Sequence, residues 1–268
     1  MASHIELLEI AATVARRAGA FAVDRRSHGV SVAETKSSPI DIVTQVDRDT
    51  ETFIRSALAE YRPADGFFGE EGDADAGSSG LTWVVDPIDG TVNFLYDIPA
   101  WAVSVAVVEG DVDPATWNVL AGAVMNPVTG EVYTAAAGEG AWLGDRPLRV
   151  NDGVRLDRAL VATGFSYLRE RKERQGRVVA GLVPRIRDLR RIGSAALDLS
   201  TVGSGRLDAF YEAGLNPWDH AAGGLVAREA GARMGGLGGA PAGADMLIAA
   251  PPSLFDDLAR AIDELWEA

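Results

Sequence analysis

Two aspartates at the end of a short apolar run are the residues of this sequence best suited to chemistry. Asp86 and Asp89 follow the run Trp83-Val84-Val85, and Pro87 stands between them. Such a run predicts a buried strand, and buried carboxylates need a cation or hydrogen-bond donors. Hard divalent cations prefer oxygen ligands, and the fixed φ of a proline sets the spacing of the two side chains. The pair therefore indicates a divalent-cation site.

The turn after the second aspartate supplies groups that bind phosphate. Gly90-Thr91-Val92 would place backbone N–H groups at a turn or at a helix start, where a phosphate can bind. Carboxylates, a cation and a phosphate-binding turn in one short stretch point to phosphate ester chemistry.

Further acidic residues lie at predicted strand ends and helix starts, and each also has a purely structural interpretation. Glu70 follows a predicted strand and could be a solvated strand end. Asp219 could simply cap the helix that it opens. Asp47 forms a capping box with Thr44, which is compatible with a catalytic role. Both interpretations remain open for each residue.

The composition restricts the functions that this chain can have. It has no cysteine, which excludes disulfides, thiolate zinc sites and a cysteine nucleophile and fits a cytoplasmic protein. A net charge of −14 argues against nucleic-acid or anionic-membrane binding. With only His4, His28 and His220, a mechanism built on several histidines is excluded.

Length and hydropathy predict a folded protein without a membrane segment. The 268 residues suffice for one large domain or two small ones, and an apolar fraction of 47% is ample for a core. No segment has the apolar length of a membrane span, and we expect no signal peptide from the N-terminal residues.

The elements that must position the acidic residues change their pattern near residue 150. In the first half we predict helices over 3–27 and from near Thr44, strands at 31–35 and 67–71, and an antiparallel meander of 102–108, 119–125 and 131–135. In the second half we predict strands at 160–163, 207–212 and 246–249, and helices over 177–186, from Ser194, over 218–231 and over 253–266. We therefore expect an α+β half at 1–150 that carries most of the metal ligands. An α/β half at 151–268 would carry Asp219 and the substrate side, and the two would form one compact unit.

Several motifs along nearly the whole chain share one pattern. They are Gly69-Glu70-Glu71, residues 83–91 with Asn93-Phe94, Trp218-Asp219 with Ala222-Gly223 and Glu229-Ala230-Gly231, Lys36-Ser37-Ser38-Pro39 with Asp41 and residues 44–47, Gly193-Ser194-Ala195, and Tyr211-Glu212. Together they resemble the inositol monophosphatase family of metal-dependent sugar and polyol phosphatases. The resemblance implies a layered αβαβα sandwich with an antiparallel N-terminal sheet, and a homodimer.

The resemblance also implies a set of metal ligands. One Mg²⁺ would be held by Glu70, Asp86 and the backbone carbonyl of Ile88. A second would be held by Asp86, Asp89 and Asp219. A third, weaker ion would lie near Glu70, which gives two to three Mg²⁺ per active site.

Catalytic and binding roles follow from the same resemblance. The expected nucleophile is a water activated by the metal, with Glu70, Thr91 and Asp47 as the catalytic residues. Thr91 would orient the water, and Asp47 would accept a hydrogen bond from Thr91. The substrate-binding residues would be Asp89, the N–H groups of Gly90 and Thr91 for phosphate, Gly193, Ser194 and Ala195 at a helix start, and Glu212 for ring hydroxyls.

The substrate that the resemblance favours is inositol 1-phosphate, hydrolysed to inositol and phosphate. No cluster of arginines offers a clamp for a second phosphate, although Arg190 and Arg191 just before Gly193 weaken that inference. Histidinol phosphate, fructose 1,6-bisphosphate and adenosine 3′,5′-bisphosphate remain open. We also expect inhibition by Li⁺.

Two other classes of protein share part of this pattern. A haloacid-dehalogenase type phosphatase uses Asp-x-Asp-x-Thr, whereas the spacing from Asp86 to Thr91 is Asp-x-x-Asp-Gly-Thr, one residue too long. A metal-stabilised interaction protein is the non-enzyme alternative, since bacterial relatives of the family act in RNA-related complexes. The acidic charge argues against direct RNA contact.

Overall fold

The computed structural model describes residues 2–30, 32–35 and 42–267. Its α-helices are α1 (His4–Ser27), α2 (Gln45–Tyr61), α3 (Thr91–Leu95), α4 (Arg169–Leu182), α5 (Ala195–Gly203), α6 (Pro217–Glu229) and α7 (Pro252–Glu267). Its strands are β1 (Val32–Thr35), β2 (Ile42–Thr44), β3 (Gly66–Gly69), β4 (Leu81–Asp89), β5 (Ala102–Glu109), β6 (Asn118–Asn126), β7 (Glu131–Ala136), β8 (Gly140–Leu143), β9 (Arg146–Pro147), β10 (Leu160–Thr163), β11 (Asp188–Arg190), β12 (Ala209–Glu212), β13 (Arg233–Gly235) and β14 (Leu247–Ala250).

Two large sheets organise the described residues. The first has the order β3-β4-β5-β6-β7-β8-β9 and is antiparallel except for the β3–β4 pair. The second has the order β11-β10-β12-β14-β13, with parallel pairing of β10 to β11 and β12 and antiparallel pairing of β14 to β12 and β13. The antiparallel meander and the mixed second sheet confirm the predicted change of pattern.

Each face of each sheet is covered by helices, which produces five layers. Helices α1 and α2 share one apolar core with the first sheet, and α5 and α6 share a second core with its other face. The same two helices then cover one face of the second sheet, whose other face packs on α4 and α7. The predicted αβαβα sandwich is confirmed.

The helix starts follow their predicted capping signals. Ser3 caps α1 with Glu6 completing the capping box, and Thr44 caps α2 with Asp47 in the same role. Such boxes satisfy backbone N–H groups that have no partner within the helix. They fix where each helix begins.

Other boundaries differ from the prediction. Helix α4 begins at Arg169 and ends at Leu182, whereas the predicted span was 177–186. The short strands β2, β8, β9, β11 and β13 were not predicted. The predicted loop Lys36-Ser37-Ser38-Pro39 and Asp41 lie outside the described residues.

Small residues let α6 lie close to its neighbours on both sides. A Cβ at Gly122 of β6 would approach Ala222 Cα at 3.0 Å, and one at Gly223 would approach Ala196 O of α5 at 2.8 Å. Both distances are shorter than an ordinary carbon contact. Helix α6 is therefore held tightly between the first sheet and α5. Within the described part of the chain no helix is long and apolar enough to cross a membrane.

Candidate active site

One cavity of about 510 Å³ collects nearly all of the predicted site residues. Its lining includes Glu70, Asp86, Ile88, Asp89, Gly90, Thr91, Gly193, Ser194, Ala195, Glu212 and Asp219. These residues come from β4 and the loop after β3 on one side, and from β12, α5 and α6 on the other. Segments separated by more than a hundred residues therefore share one cleft between the two sheets.

A bulge at the end of β4 turns both aspartates toward this cavity. Asp86 pairs with Ser104 and Asp89 with Ala102, so three steps on β4 oppose two on β5. In a regular strand residues three apart point to opposite faces, and an inserted residue reverses that alternation. Ile88 accordingly packs into the apolar cluster on the α1 side, while its neighbour Asp89 lines the cavity.

Backbone groups hold the first aspartate in place. Asp86 is 1% exposed, and its Oδ1 accepts a hydrogen bond of 3.0 Å from Ile88 N. The turn continues into Gly90, which caps α3 with φ near +100°, a value that favours glycine. A Cβ there would lie 3.0 Å from Gly193 O, so the two halves of the cleft approach closely at this point.

Thr91 connects this turn to α2. Its hydroxyl oxygen lies 3.1 Å from Asp47 Oδ1 and 3.2 Å from Ile88 O, and its single hydrogen serves one acceptor at a time. Asp47 also accepts from Thr44 N and the Thr44 hydroxyl, so it caps α2 and contacts Thr91 together. Burial raises the pKa of Asp47 to about 7.

Asp89 is held by the other side of the cleft. Its Oδ2 accepts from Ser194 Oγ at 2.6 Å and from Ala196 N at 2.7 Å. Burial raises the pKa of Asp89 to about 6, although these hydrogen bonds lower it. The first turn of α5 was expected to face the substrate, and in the structure its donors bind this carboxylate.

Asp219 lies at the start of α6 and also borders the cavity. Its Oδ2 accepts from Asn216 N at 2.7 Å and completes the capping box of α6, as the structural interpretation required. It also lines the cavity, where burial and the nearby Glu70 and Asp89 raise its pKa well above the usual range. Its neighbour His220 is buried beside Trp117, and burial lowers the pKa of this imidazole to about 4.

A residue that sequence reasoning missed fixes the loop of Glu70. Glu51 of α2 is buried, and its Oε2 accepts from Glu71 N at 2.7 Å. A Cβ at Gly69 would collide with the same carboxylate, so only glycine leaves room for it. Glu51 thereby positions the Gly69-Glu70-Glu71 loop from behind.

The second-sheet side of the cavity carries two further carboxyl groups. Glu212 lies against Gly164, where any Cβ would overlap its carboxylate, and burial raises the pKa of Glu212 to about 8. Asp198 of α5 also lines the cavity and was not predicted. Burial, followed by Glu212 and Asp89, raises the pKa of Asp198. Its signal in the sequence was its position one helical turn after Ser194.

Two arginines also line this cavity. Arg191 was considered from the sequence, whereas Arg171 of α4 was missed because α4 was predicted to begin too late. Their guanidinium groups lie where a Cβ of Gly193 or of Gly214 would stand. Arg190 instead pairs with Asp188 at 2.6 Å on the surface. Trp101 is buried edge-on against Phe94 and belongs to the core.

The donor set fits hard divalent cations in its chemistry, because it consists of carboxylate oxygens in one cavity. Glu70, Asp89 and Asp219 are close enough for each charge to act on another, and Asp86 shares their cavity. Among the described residues, no three acidic or histidine side chains stand within common reach of one ion as they are placed. Carboxylates repel one another, and a cation offsets that repulsion and draws them together.

Nearly the whole chain matches known proteins. The model of the inositol monophosphatase family matches residues 4–267. Inositol-1-monophosphatase SuhB of Mycobacterium tuberculosis is 46% identical over 263 residues, covering 92% of this chain and 87% of that protein. The Nus factor SuhB of Vibrio cholerae is 36% identical over 229 residues, covering 84% of this chain and 83% of that protein.

A solved structure also matches this fold over nearly its whole length. The crystal structure of the extragenic suppressor protein suhB from Bartonella henselae superposes with a TM-score of 0.87 at 35% identity, covering 97% of this chain and 99% of that one. The family is generally metal-dependent. The chain therefore belongs to the inositol monophosphatase family and is a phosphoric monoester hydrolase.

Proposed function

We propose that this enzyme hydrolyses inositol 1-phosphate to inositol and phosphate with the help of Mg²⁺. The observation that carries the proposal is the shared cavity, which joins the acidic residues of β4 and α6 to Glu212. Acidic side chains of this number in one cleft favour a cation, and the adjacent turn favours an anionic ester.

The proposed ligands are those of the family pattern. Glu70, Asp86 and the carbonyl of Ile88 would hold one Mg²⁺, and Asp86, Asp89 and Asp219 would hold a second. A third, weaker ion would lie near Glu70. Bound Mg²⁺ supplies Lewis-acid activation of water and stabilises charge on the attacking and leaving oxygens.

The chain's own residues then orient the reactants. Glu70 and Thr91 would hold the attacking water, and Asp47 would accept the hydrogen of the Thr91 hydroxyl, the geometry seen at 3.1 Å. The N–H groups of Gly90 and Thr91 would bind phosphate oxygens at the start of α3. Water adds to phosphorus, the ester oxygen leaves with a proton, and inositol and phosphate are the products.

The polyol would occupy the second-sheet side of the cleft. Glu212 would accept hydrogen bonds from ring hydroxyls, and the segment Gly193-Ser194-Ala195 would border the ring. Asp89, held by Ser194, would reach a hydroxyl as well as a cation. Arg171 and Arg191 at the same cavity keep fructose 1,6-bisphosphate and adenosine 3′,5′-bisphosphate as alternative substrates.

Phosphate release tests this function. We expect release from inositol 1-phosphate that requires Mg²⁺ and exceeds release from histidinol phosphate and from the two bisphosphates. Millimolar Li⁺ should inhibit the reaction by occupying the second metal position. A higher kcat/KM for another compound of the panel would identify that compound as the substrate in place of inositol 1-phosphate. Trapping of an aspartyl-phosphate would show a covalent mechanism and overturn the proposed direct attack by water.

A second candidate function is a metal-stabilised interaction protein, which the name Nus factor of the Vibrio cholerae relative favours. We propose that direct nucleic-acid binding is absent, because the net charge is −14.

We also propose that the protein is a homodimer in the cytoplasm. Sedimentation gives the oligomeric state, and absence of phosphate release under all metal conditions would favour the interaction protein.

A further inference from the structure

Asp198 is the cavity residue that the proposed function does not use. It stands four positions after the N-cap Ser194 of α5, and residues four apart lie on one face of a helix. Both residues line the cavity, together with Glu212. The side chain of Asp198 therefore faces the same space as the polyol side of the cleft.

One oxygen of the Asp198 carboxyl group is buried without a hydrogen-bond partner among the described residues. The residue is 1% exposed, and in the described part of the chain its Oδ1 has no hydrogen-bond partner. The other polar side chains of the same helix are satisfied: Ser194 Oγ bonds Asp89, and Ser200 Oγ donates to Ala196 O at 2.7 Å. Buried polar groups in proteins are as a rule hydrogen-bonded, so the exception asks for a partner from the cavity.

A hydroxyl is the partner that suits this position. The charged groups that act on the Asp198 carboxyl group are the carboxyl groups of Glu212 and Asp89 and the guanidinium group of Arg191. A second anionic group there would be repelled by the carboxylates. A hydroxyl can donate and accept, and it carries no charge. Neighbouring hydroxyls of one ring could reach Glu212 and Asp198 together.

We propose that Asp198 is a specificity-determining residue that hydrogen-bonds a hydroxyl of a polyhydroxylated ring, beside the hydroxyl bound by Glu212. The proposal rests on the proposed function, since it names a contact to the alcohol part of the same substrate. It predicts selectivity for ring polyol phosphates over monoesters that lack hydroxyls.

The test compares two substrates in Mg²⁺-loaded enzyme: inositol 1-phosphate and p-nitrophenyl phosphate, a monoester without hydroxyls. Asp198→Ala leaves room at the site, and Asp198→Leu fills it with an apolar group. Each should lower kcat/KM for inositol 1-phosphate by about 5- to 50-fold, mainly through KM, and leave p-nitrophenyl phosphate within about 2-fold. Asp198→Asn keeps hydrogen-bonding atoms and should recover most of the loss.

Ser200→Ala is the matched control, because Ser200 is buried on the same helix and does not line the cavity. Its ratio of the two kcat/KM values should equal that of the wild type. If Asp198→Ala fails to fold, as judged by thermal unfolding, the Leu variant carries the same comparison.

Equal losses on both substrates, or no loss on either, would overturn the role of Asp198 without affecting the proposed function of the wild type. If the wild type releases phosphate from p-nitrophenyl phosphate and not from inositol 1-phosphate, the proposed function and the polyol contact both fall.

Discussion

The two sides of the catalytic cleft satisfy their carboxylates in different ways. On the first-sheet side Asp86 accepts from its own turn, and Asp89 accepts from Ser194 and Ala196 across the cleft. On the second-sheet side Asp198 Oδ1 has no partner among the described residues. The carboxylates on the first-sheet side are hydrogen-bonded by the protein before any ligand binds. On the second-sheet side, we propose that a bound substrate supplies the missing partner.

This difference separates chemistry from recognition. Groups that act on developing charge work best when they are fixed in advance. Groups that read a substrate discriminate best when a missing hydroxyl would leave them unpaired. We therefore expect substitutions on the first-sheet side to reduce turnover and substitutions on the second-sheet side to raise KM.

The largest effect should follow replacement of Asp89. Asp89→Asn removes the charge of a proposed metal ligand and keeps its shape, so turnover should fall by about 10²- to 10³-fold or more. The fold should persist, because an amide oxygen can still accept from Ser194 and Ala196. Steady-state kinetics with inositol 1-phosphate and a thermal unfolding curve measure both. Near-normal turnover would remove Asp89 from the second metal site.

A pH dependence of stability should follow from Asp47 on the same side. Burial raises the pKa of Asp47 to about 7, against 3.8 for the ordinary group. Between these values the folded chain binds more protons than the unfolded one. The free energy of unfolding in metal-free buffer should therefore fall as pH rises from about 4 to about 7, by up to about 3 kcal/mol from this residue.

Asp47→Asn isolates that contribution, because it cannot titrate. Urea unfolding at several pH values should give a flatter curve for the variant than for the wild type. Identical curves would mean that Asp47 is ionised throughout and that its hydrogen bonds outweigh its burial.

The contact that joins the two sides should have an intermediate effect. Ser194→Ala removes the hydrogen bond to Asp89 and the N-cap of α5, so the Mg²⁺ concentration for half-maximal activity should rise about 10-fold. Stability should fall by about 1 kcal/mol. Ser200→Ala serves as the control on the same helix. An unchanged Mg²⁺ requirement would show that Asp89 does not depend on α5.

An effect confined mainly to KM should follow substitution of Glu212. Glu212→Gln keeps the volume and should raise KM for inositol 1-phosphate about 10-fold, with a lesser change in kcat. Glu264→Gln, at an exposed ion pair with Arg185, should change neither. A loss confined to kcat would mean that Glu212 acts in turnover, like the first-sheet residues. It would contradict the proposal that the second-sheet side determines substrate binding.

The sequence predicted residues whose role is local and missed those whose role depends on packing. Asp86 and Asp89 were found because the motif that carries them is continuous, and capping boxes marked the starts of α1 and α2. Glu51 and Asp198 occur in ordinary helical patterns, and only the tertiary structure brings Glu51 to the loop of Glu70 and Asp198 to the cleft. We propose 1–150 and 151–268 as two halves of one unit, since the first sheet ends at Pro147 and the second begins at Leu160.

The close packing of α6 between the first sheet and α5 links buried glycine positions to the proposed metal site. The helix that presents Asp219 packs on Gly122 of β6, and its own Gly223 packs on Ala196 of α5, so an added methyl group at either position would push it. A larger side chain at Gly122 would push α6 away from the first sheet and shift Asp219 by a fraction of an ångström. Cation affinity in this enzyme could thus drift through residues that never meet solvent, substrate or ion.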